Sequence, residues 1–119
     1  MSDKFLVILS HGMDNPNKSS RALQLAKVAH EKGKDVTLFL MDDGVNIARE
    51  GIVNTIKSAA GDEAKDHMAY LVANKVPILV CKPCAASRQV GPDEMVPNAS
   101  LATGSELVDI ACASTTVSF

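Results

Sequence analysis

Two cysteines separated by two residues close an apolar stretch of the chain, in the segment VPILVCKPCAASRQV from Val76 to Val90. Cys81 follows the apolar run directly, and Cys84 follows Pro83. Because proline is favoured in the first turn of a helix, the pattern predicts a strand that ends near Cys81 and a helix that begins near Pro83. A thiol at that junction can be a nucleophile, half of a disulfide or a metal ligand.

The groups around Cys81 predict a positive environment for its sulfur. Free N–H groups at a helix N-terminus and the ammonium group of Lys82 favour negative charge, so we expect the pKa of the Cys81 thiol to be lowered. Arg88, four residues after Cys84, would add positive charge if the helix extends that far. His11 closes the first apolar run and is a further candidate, as a proton donor or an anion contact, although a solvated loop histidine is the commoner case.

Other interpretations of the two thiols are a zinc site and a redox pair. A structural zinc site needs four ligands, and the third cysteine, Cys112, falls in a predicted helix as a small core residue, so we expect no metal and no cofactor. A thioredoxin-like pair also lies between a strand and a helix, but it would normally follow the first strand–helix unit. Cys81 and Cys84 follow the second. For Asp42 and Asp43, capping or loop closure is favoured over catalysis.

The elements that position these residues begin with three apolar segments that predict strands buried on both faces. They are FLVIL from Phe5 to Leu9, VTLFLM from Val36 to Met41 and VPILV from Val76 to Val80. A short strand or loop is expected near residues 94–96, and a final strand at TTVSF, residues 115–119. The piece from Ile52 to Ala60 is ambiguous: Ile52, Ile56 and Ala59 share one side, which fits either a subunit contact or the core.

Helices are predicted between these strands. The first has Asn15 as its N-cap and Pro16 at its first position, and it ends before Gly33. The second is capped by Asp62, and the last, after the helix that begins near Pro83, runs from about Ser105 to Ala113. This alternation predicts one α/β domain over residues 1–119 with a mainly parallel sheet.

Composition excludes several classes of protein. The chain has 119 residues, 46% hydrophobic, 22% charged and 3% aromatic, with a formal net charge of -2. It has no basic block and few aromatic side chains for stacking on bases, so nucleic acid is not an expected partner. The apolar run from Phe5 to Leu9 is too short to span a membrane or form a signal peptide, and three cysteines fit a reducing compartment. A cytoplasmic location is therefore expected.

Three segments together resemble the DsrE/DsrF-like family, and most closely its small YchN-type members: VTLFLMDDGV, VPILVCKPCAASR and the C-terminal ELVDIACASTTVSF. The resemblance covers nearly the whole chain. It implies a three-layer α/β/α fold with a five-stranded parallel sheet, a cytoplasmic location and assembly into homotrimers or homohexamers. In relatives that relay sulfur, a persulfide forms on a cysteine whose position matches Cys81, and Cys84 matches a second cysteine found in one subgroup.

The leading hypothesis is a sulfur carrier or sulfurtransferase-like protein that accepts sulfane sulfur on Cys81 and passes it to a partner protein. Lys82, Arg88 and the helix N-terminus would stabilise the charge, and Cys84 could resolve the persulfide to a disulfide. One alternative is a thiol–disulfide redox or sensing protein that uses Cys81 and Cys84 without carrying sulfur. Another is a non-catalytic oligomeric module that binds a small anion. Whether the protein is an enzyme is left open.

Overall fold

The fold is a five-stranded sheet of parallel strands with helices on both faces, seen in a computed structural model that describes residues 3–119. The strand order is β4-β3-β2-β1-β5, and every neighbouring pair is parallel. The strands are β1 (Lys4–Leu9), β2 (Asp35–Leu40), β3 (Ile78–Cys81), β4 (Ala99–Ala102) and β5 (Thr115–Ser118). This architecture confirms the predicted α/β fold with its five-stranded sheet.

Four α-helices and three 3-10 segments connect the strands of the described chain. The helices are α1 (Pro16–Glu31), α2 (Ala64–Ala73), α3 (Lys82–Ser87) and α4 (Gly104–Cys112). The 3-10 segments are Asp42–Ala48, Ile52–Thr55 and Pro92–Glu94. Helix α1 begins as predicted, with Pro16 in its first turn and the side-chain oxygen of Asn15 accepting the Lys18 N–H at 3.1 Å. The cap satisfies one of the free N–H groups of the first turn.

The two faces of the sheet are covered unequally. Along β1 successive side chains point to opposite faces, so Val7 and Leu9 enter the larger core with α1 and α2, while Leu6 faces the other side. There Leu6, Phe39 and Ala102 form a small buried cluster. Its partly buried neighbours include three residues of α4: Leu107, Ile110 and Ala111. Cys81 packs against both clusters, which places it at the margin of the two cores.

The predicted N-cap of α2 is wrong. Helix α2 begins at Ala64 with Glu63 in the cap position and no side-chain capping bond. Asp62 instead turns its carboxylate toward α1 and α2, where Oδ2 lies 3.2 Å from the hydroxyl of Ser20 and 2.8 Å from Nε2 of His67. Ser20 and His67 are both buried, so the carboxylate supplies hydrogen bonds that these side chains need in the interior.

Of the two forms expected for residues 94–96, a short strand or a loop, the structure shows the loop. A 3-10 segment ends at Glu94, and Met95 makes one isolated antiparallel bridge to Arg49. The fourth strand, β4, lies just beyond. Cys112 is exposed on α4 and is not a core residue. Ile56 is only 2% exposed, which assigns it to the main core and not to a subunit contact.

Replacing Asp62 with asparagine is expected to cost about 1 kcal/mol at pH 7, because the carboxylate is one-third exposed and its interactions are partly screened. The hydrogen bond from His67 lowers the pKa of Asp62 below its ordinary value. A lowered folded-state pKa stabilises the protein above the unfolded-state pKa, and this contribution is lost as the pH falls through the folded-state pKa. Urea unfolding of both proteins between pH 7 and about 2.5 should therefore show a difference that is constant down to about pH 4 and shrinks below it. A difference independent of pH would contradict the assignment.

Candidate functional site

The candidate site lies where the carboxyl ends of β1, β2 and β3 meet. Cys81 is the last residue of β3 and the N-cap residue of α3, which begins at Lys82 with Pro83 in its first turn. Cys84 follows within that turn, and both thiols are free and partly buried. Loops at this edge of a parallel sheet usually form the ligand sites of α/β proteins. The sequence therefore places two thiols at the edge where such sites occur.

Two glycines let the loop after β1 and the segment after β2 approach each other. A Cβ on Gly44 would overlap the backbone carbonyl oxygen of Leu9, at the end of β1. A Cβ on Gly12, in the loop after β1, would lie 2.6 Å from the carbonyl oxygen of Asp43. Neither space admits a side-chain carbon, because real Cβ atoms do not approach backbone oxygens so closely. The glycines fix the distance between the loop after β1 and the segment after β2.

Two carboxylates after β2 lie beside the thiol motif. The Cys84 thiol donates to Oδ1 of Asp42, with an Sγ to Oδ1 distance of 3.9 Å, and Nε of Arg88 lies 3.0 Å from Oδ1 of Asp43. Sequence reasoning assigned both aspartates to capping or loop closure and missed their contact with this motif. The available signal was their position, because β2 is the neighbour of β3 and the carboxyl ends of parallel strands share one edge.

The expected lowering of the Cys81 pKa is wrong. Partial burial raises the pKa of the Cys81 thiol, and the adjacent Cys84 thiol and the charge of Asp42 act in the same direction. A hydrogen bond from the backbone N–H of Cys84 opposes the increase without cancelling it. Desolvation disfavours a charged sulfur, and here it exceeds the effect of the short helix. Cys81 is therefore mostly a neutral thiol at pH 7.

Helix α3 stops just short of Arg88, so the condition for Arg88 to lie on the helix face of Cys84 is not met. Helix α3 ends at Ser87 and Arg88 is its C-cap residue. Besides pairing with Asp43, its guanidinium donates to the carbonyl oxygen of Cys84 at 3.3 Å. A second arginine, Arg49, donates to the carbonyl oxygens of Arg88 and Gln89, both at 3.1 Å. The two guanidinium groups hold α3 against the segment after β2, and Arg49 is a positioning residue that sequence reasoning missed.

His11 and Lys82 lie at the same edge but contact other groups or solvent. Nδ1 of His11 is 2.7 Å from Oδ2 of Asp14, whose other oxygen accepts the Gly12 N–H. Lys82 is exposed. Within residues 3–119, no hydrogen bond or ion pair joins either residue to a cysteine, and no group of three or more His, Cys, Asp or Glu side chains is arranged to hold a metal ion.

The chain belongs to the DsrE/DsrF-like family, whose model matches residues 3–118. This result confirms the resemblance found in the three sequence segments. The matched residues run from the first strand of the described domain to the last.

Among its relatives are proteins of Methanopyrus kandleri and Methanocaldococcus jannaschii. An uncharacterised protein of Methanopyrus kandleri is 25% identical over 110 residues, covering 90% of this chain and 85% of that protein. An uncharacterised protein of Methanocaldococcus jannaschii is 26% identical over 108 residues, covering 88% of this chain and 89% of that protein. Neither name describes an activity.

Two solved structures share the fold. The YchN protein from E. coli superposes with a TM-score of 0.80 at 23% identity and covers 100% of both chains. A protein of unknown function from Methanobacterium thermoautotrophicum has a TM-score of 0.66 at 12% identity and covers 98% of each chain. In the part of this chain that the structure describes, no helix combines the length and apolarity needed to cross a membrane.

Proposed function

We propose that this protein is a sulfur carrier that holds a persulfide on Cys81 and passes the sulfur to a partner protein in the cytoplasm. The observation that carries the proposal is the position of Cys81, at the carboxyl end of β3 and the start of α3, with part of its side chain accessible. Membership of a family linked with sulfur relay supports the same conclusion.

Uptake is a thiolate displacement. The Cys81 thiolate attacks the outer sulfur of a donor persulfide, a bond forms between Cys81 Sγ and that sulfur, and the donor leaves as its own thiolate. No net oxidation occurs, and the outer sulfur keeps its proton. Because the pKa of Cys81 is raised, only a small fraction of the thiol is ionised at neutral pH, and the reaction should accelerate as the pH increases.

Partial burial of Cys81 also suits a carrier. A neutral, partly covered thiol reacts slowly with general oxidants, since oxidation follows thiolate character and exposure. Uptake then depends on a donor that delivers an activated sulfur to this edge of the sheet. Release requires an acceptor thiol that can reach the same edge.

Intact-protein mass spectrometry after incubation with sodium polysulfide, or with a cysteine desulfurase and cysteine, tests the proposal. We expect a mass gain of one sulfur, which peptide mapping assigns to Cys81. A loss of two hydrogens without any sulfur gain would favour the thiol–disulfide alternative that uses Cys81 and Cys84. An unchanged mass would favour the other alternative, a non-catalytic module that binds a small anion.

We further propose that the carrier is a homotrimer or homohexamer. Helix α4 supports this proposal because none of its residues is buried and Val108 on it is 61% exposed. Leu107 and Ile110 on the same helix are only partly buried, so α4 exposes several neighbouring apolar side chains, as protein contact surfaces do. Replacing Val108 with glutamate is expected to reduce the molar mass measured by size exclusion with light scattering. Ser105→Glu, an exposed change on the same helix, should leave it unaltered. An equal mass for both variants and wild type would exclude this surface as the contact.

A further inference from the structure

Asp42 has an unusual backbone conformation beside the thiol motif. Its φ is 50°, in the left-handed region that few residues other than glycine adopt, although aspartate does so more readily than most. It opens the 3-10 segment Asp42–Ala48 directly after β2, and its Oδ1 accepts from the Cys84 thiol. Such conformations persist where the surrounding structure imposes them, and they concentrate at functional sites.

The neighbouring carboxylate has a different partner. Asp43 pairs with Arg88 at 3.0 Å, whereas no cationic side chain of residues 3–119 lies within ion-pair distance of Asp42. The charge of Asp42 is therefore not neutralised by an arginine, and its partner is a thiol. A carboxylate accepts the hydrogen of a thiol but repels the negative charge of a thiolate.

We propose that Asp42 is a positioning residue that keeps Cys84 as a hydrogen-bonded thiol and so prevents Cys84 from attacking a persulfide on Cys81. This inference rests on the proposed function and adds the control of sulfur loss at the same site. Without such control, a second thiol one turn away in the motif would discharge the carrier before an acceptor arrives.

The reaction that Asp42 restrains is intramolecular. After Cys84 loses its proton to water, its thiolate attacks Sγ of the Cys81 persulfide, and a Cys81–Cys84 disulfide forms. The bond between Cys81 Sγ and the outer sulfur breaks, and the outer sulfur leaves as hydrosulfide with its proton. The outer sulfur is reduced while the Cys84 sulfur is oxidised and Cys81 Sγ keeps its oxidation state, so no external oxidant or reductant takes part.

Two substitutions of Asp42 suit the backbone at this position. Asparagine keeps the size of the side chain and tolerates a positive φ, but it lacks the charge, whereas glycine removes the side chain and also accepts this φ. Asp66→Asn, on the exposed surface of α2, is a matched loss of one charge away from the site. The double variant Asp42→Asn with Cys84→Ser tests whether Cys84 is the attacking group.

The experiment loads each protein with sodium polysulfide, removes excess donor by desalting and follows hydrosulfide release without oxygen, using a sulfide electrode and intact mass. We expect Asp42→Asn and Asp42→Gly to release hydrosulfide about fivefold faster than wild type, since a charge about 4 Å from the thiol is removed. Asp66→Asn should match wild type, and the double variant should release hydrosulfide no faster than wild type.

Each other outcome has a distinct meaning. If loaded Asp42→Asn and Asp42→Gly release hydrosulfide at the wild-type rate, the role of Asp42 is overturned while the carrier function stands. If wild type takes up no sulfur on Cys81, the proposed function fails. The rate of Cys81–Cys84 disulfide formation with diamide then decides the role of Asp42: a faster rate in Asp42→Asn supports restraint of Cys84, and an unchanged rate overturns it.

Discussion

Cys81→Ser is expected to abolish sulfur uptake, and Cys84→Ser is expected to retain it. Cys81 ends β3 at the edge where three loops meet, whereas Cys84 lies inside α3 with its thiol directed to Asp42. A serine hydroxyl has the size to occupy the Cys81 site but cannot form a persulfide. With Cys112 also replaced by serine, we expect less than about one-twentieth of the mass gain in Cys81→Ser, because a thiolate is the nucleophile that this chemistry requires.

The uptake measurement has internal controls. Cys112→Ser removes the exposed thiol on α4 and should lower only the sulfur that adds outside the site. Thermal unfolding of Cys81→Ser should remain close to wild type, so a loss of uptake would not reflect unfolding. If Cys81→Ser gains as much sulfur as wild type, or if the gain disappears only in Cys84→Ser, Cys81 is not the carrier.

Gly44→Ala is expected to destabilise the protein by about 3 kcal/mol, in the range of substitutions that overfill a packed interior. The added Cβ would meet the carbonyl oxygen of Leu9, which already accepts the Met41 N–H at 3.0 Å. A backbone oxygen cannot rotate aside as a flexible side chain can. The segment after β2 must move away from β1, and Asp42 and Asp43 would move with it. Sulfur chemistry at the site should change even where the protein stays folded.

Gly104→Ala is the matched control for this substitution. Gly104 lies in the first turn of α4, and a Cβ there meets no atom within 4 Å. Urea unfolding should show a change within about 0.5 kcal/mol for Gly104→Ala, with the same denaturant dependence as wild type. Equal stabilities for the two variants would show that Gly44 is not a point of close packing between β1 and the segment after β2.

Much of the fold could be predicted because its signals are local. Apolar runs, the Asn15 cap and the proline at the start of α3 each depend on residues close in sequence. The strand β4 was missed because its four residues, ASLA, carry only a short and weak apolar pattern. The cap at Asp62 failed for a different reason: its carboxylate binds Ser20 and His67 from two separate helices.

The site was harder to predict than the fold, because its electrostatics depend on tertiary contacts. The two-cysteine motif and its strand–helix context are visible in the sequence. The raised pKa of Cys81 is not, since it depends on burial, on the Cys84 thiol and on Asp42, which is 39 positions earlier in the chain. The pairing of Arg88 with Asp43 likewise joins residues on different strand–helix units. Sequence patterns located the thiols but not the charges around them.

The pairing of β5 with β1 has a consequence for the order of folding. Strand β1 lies between β2 and β5, so one of its edges stays unpaired until residues 115–118 have been synthesised and have returned across the sheet. The pairing of β5 with β1 also brings Phe119 beside Ser10, the residue that follows β1. The N–H and the hydroxyl of Ser10 both donate to the carbonyl oxygen of Phe119, at 3.0 and 2.8 Å. During synthesis the apolar β1 therefore exposes a strand edge for longer than β2 does. Chaperone binding to nascent chains should be strongest at this segment.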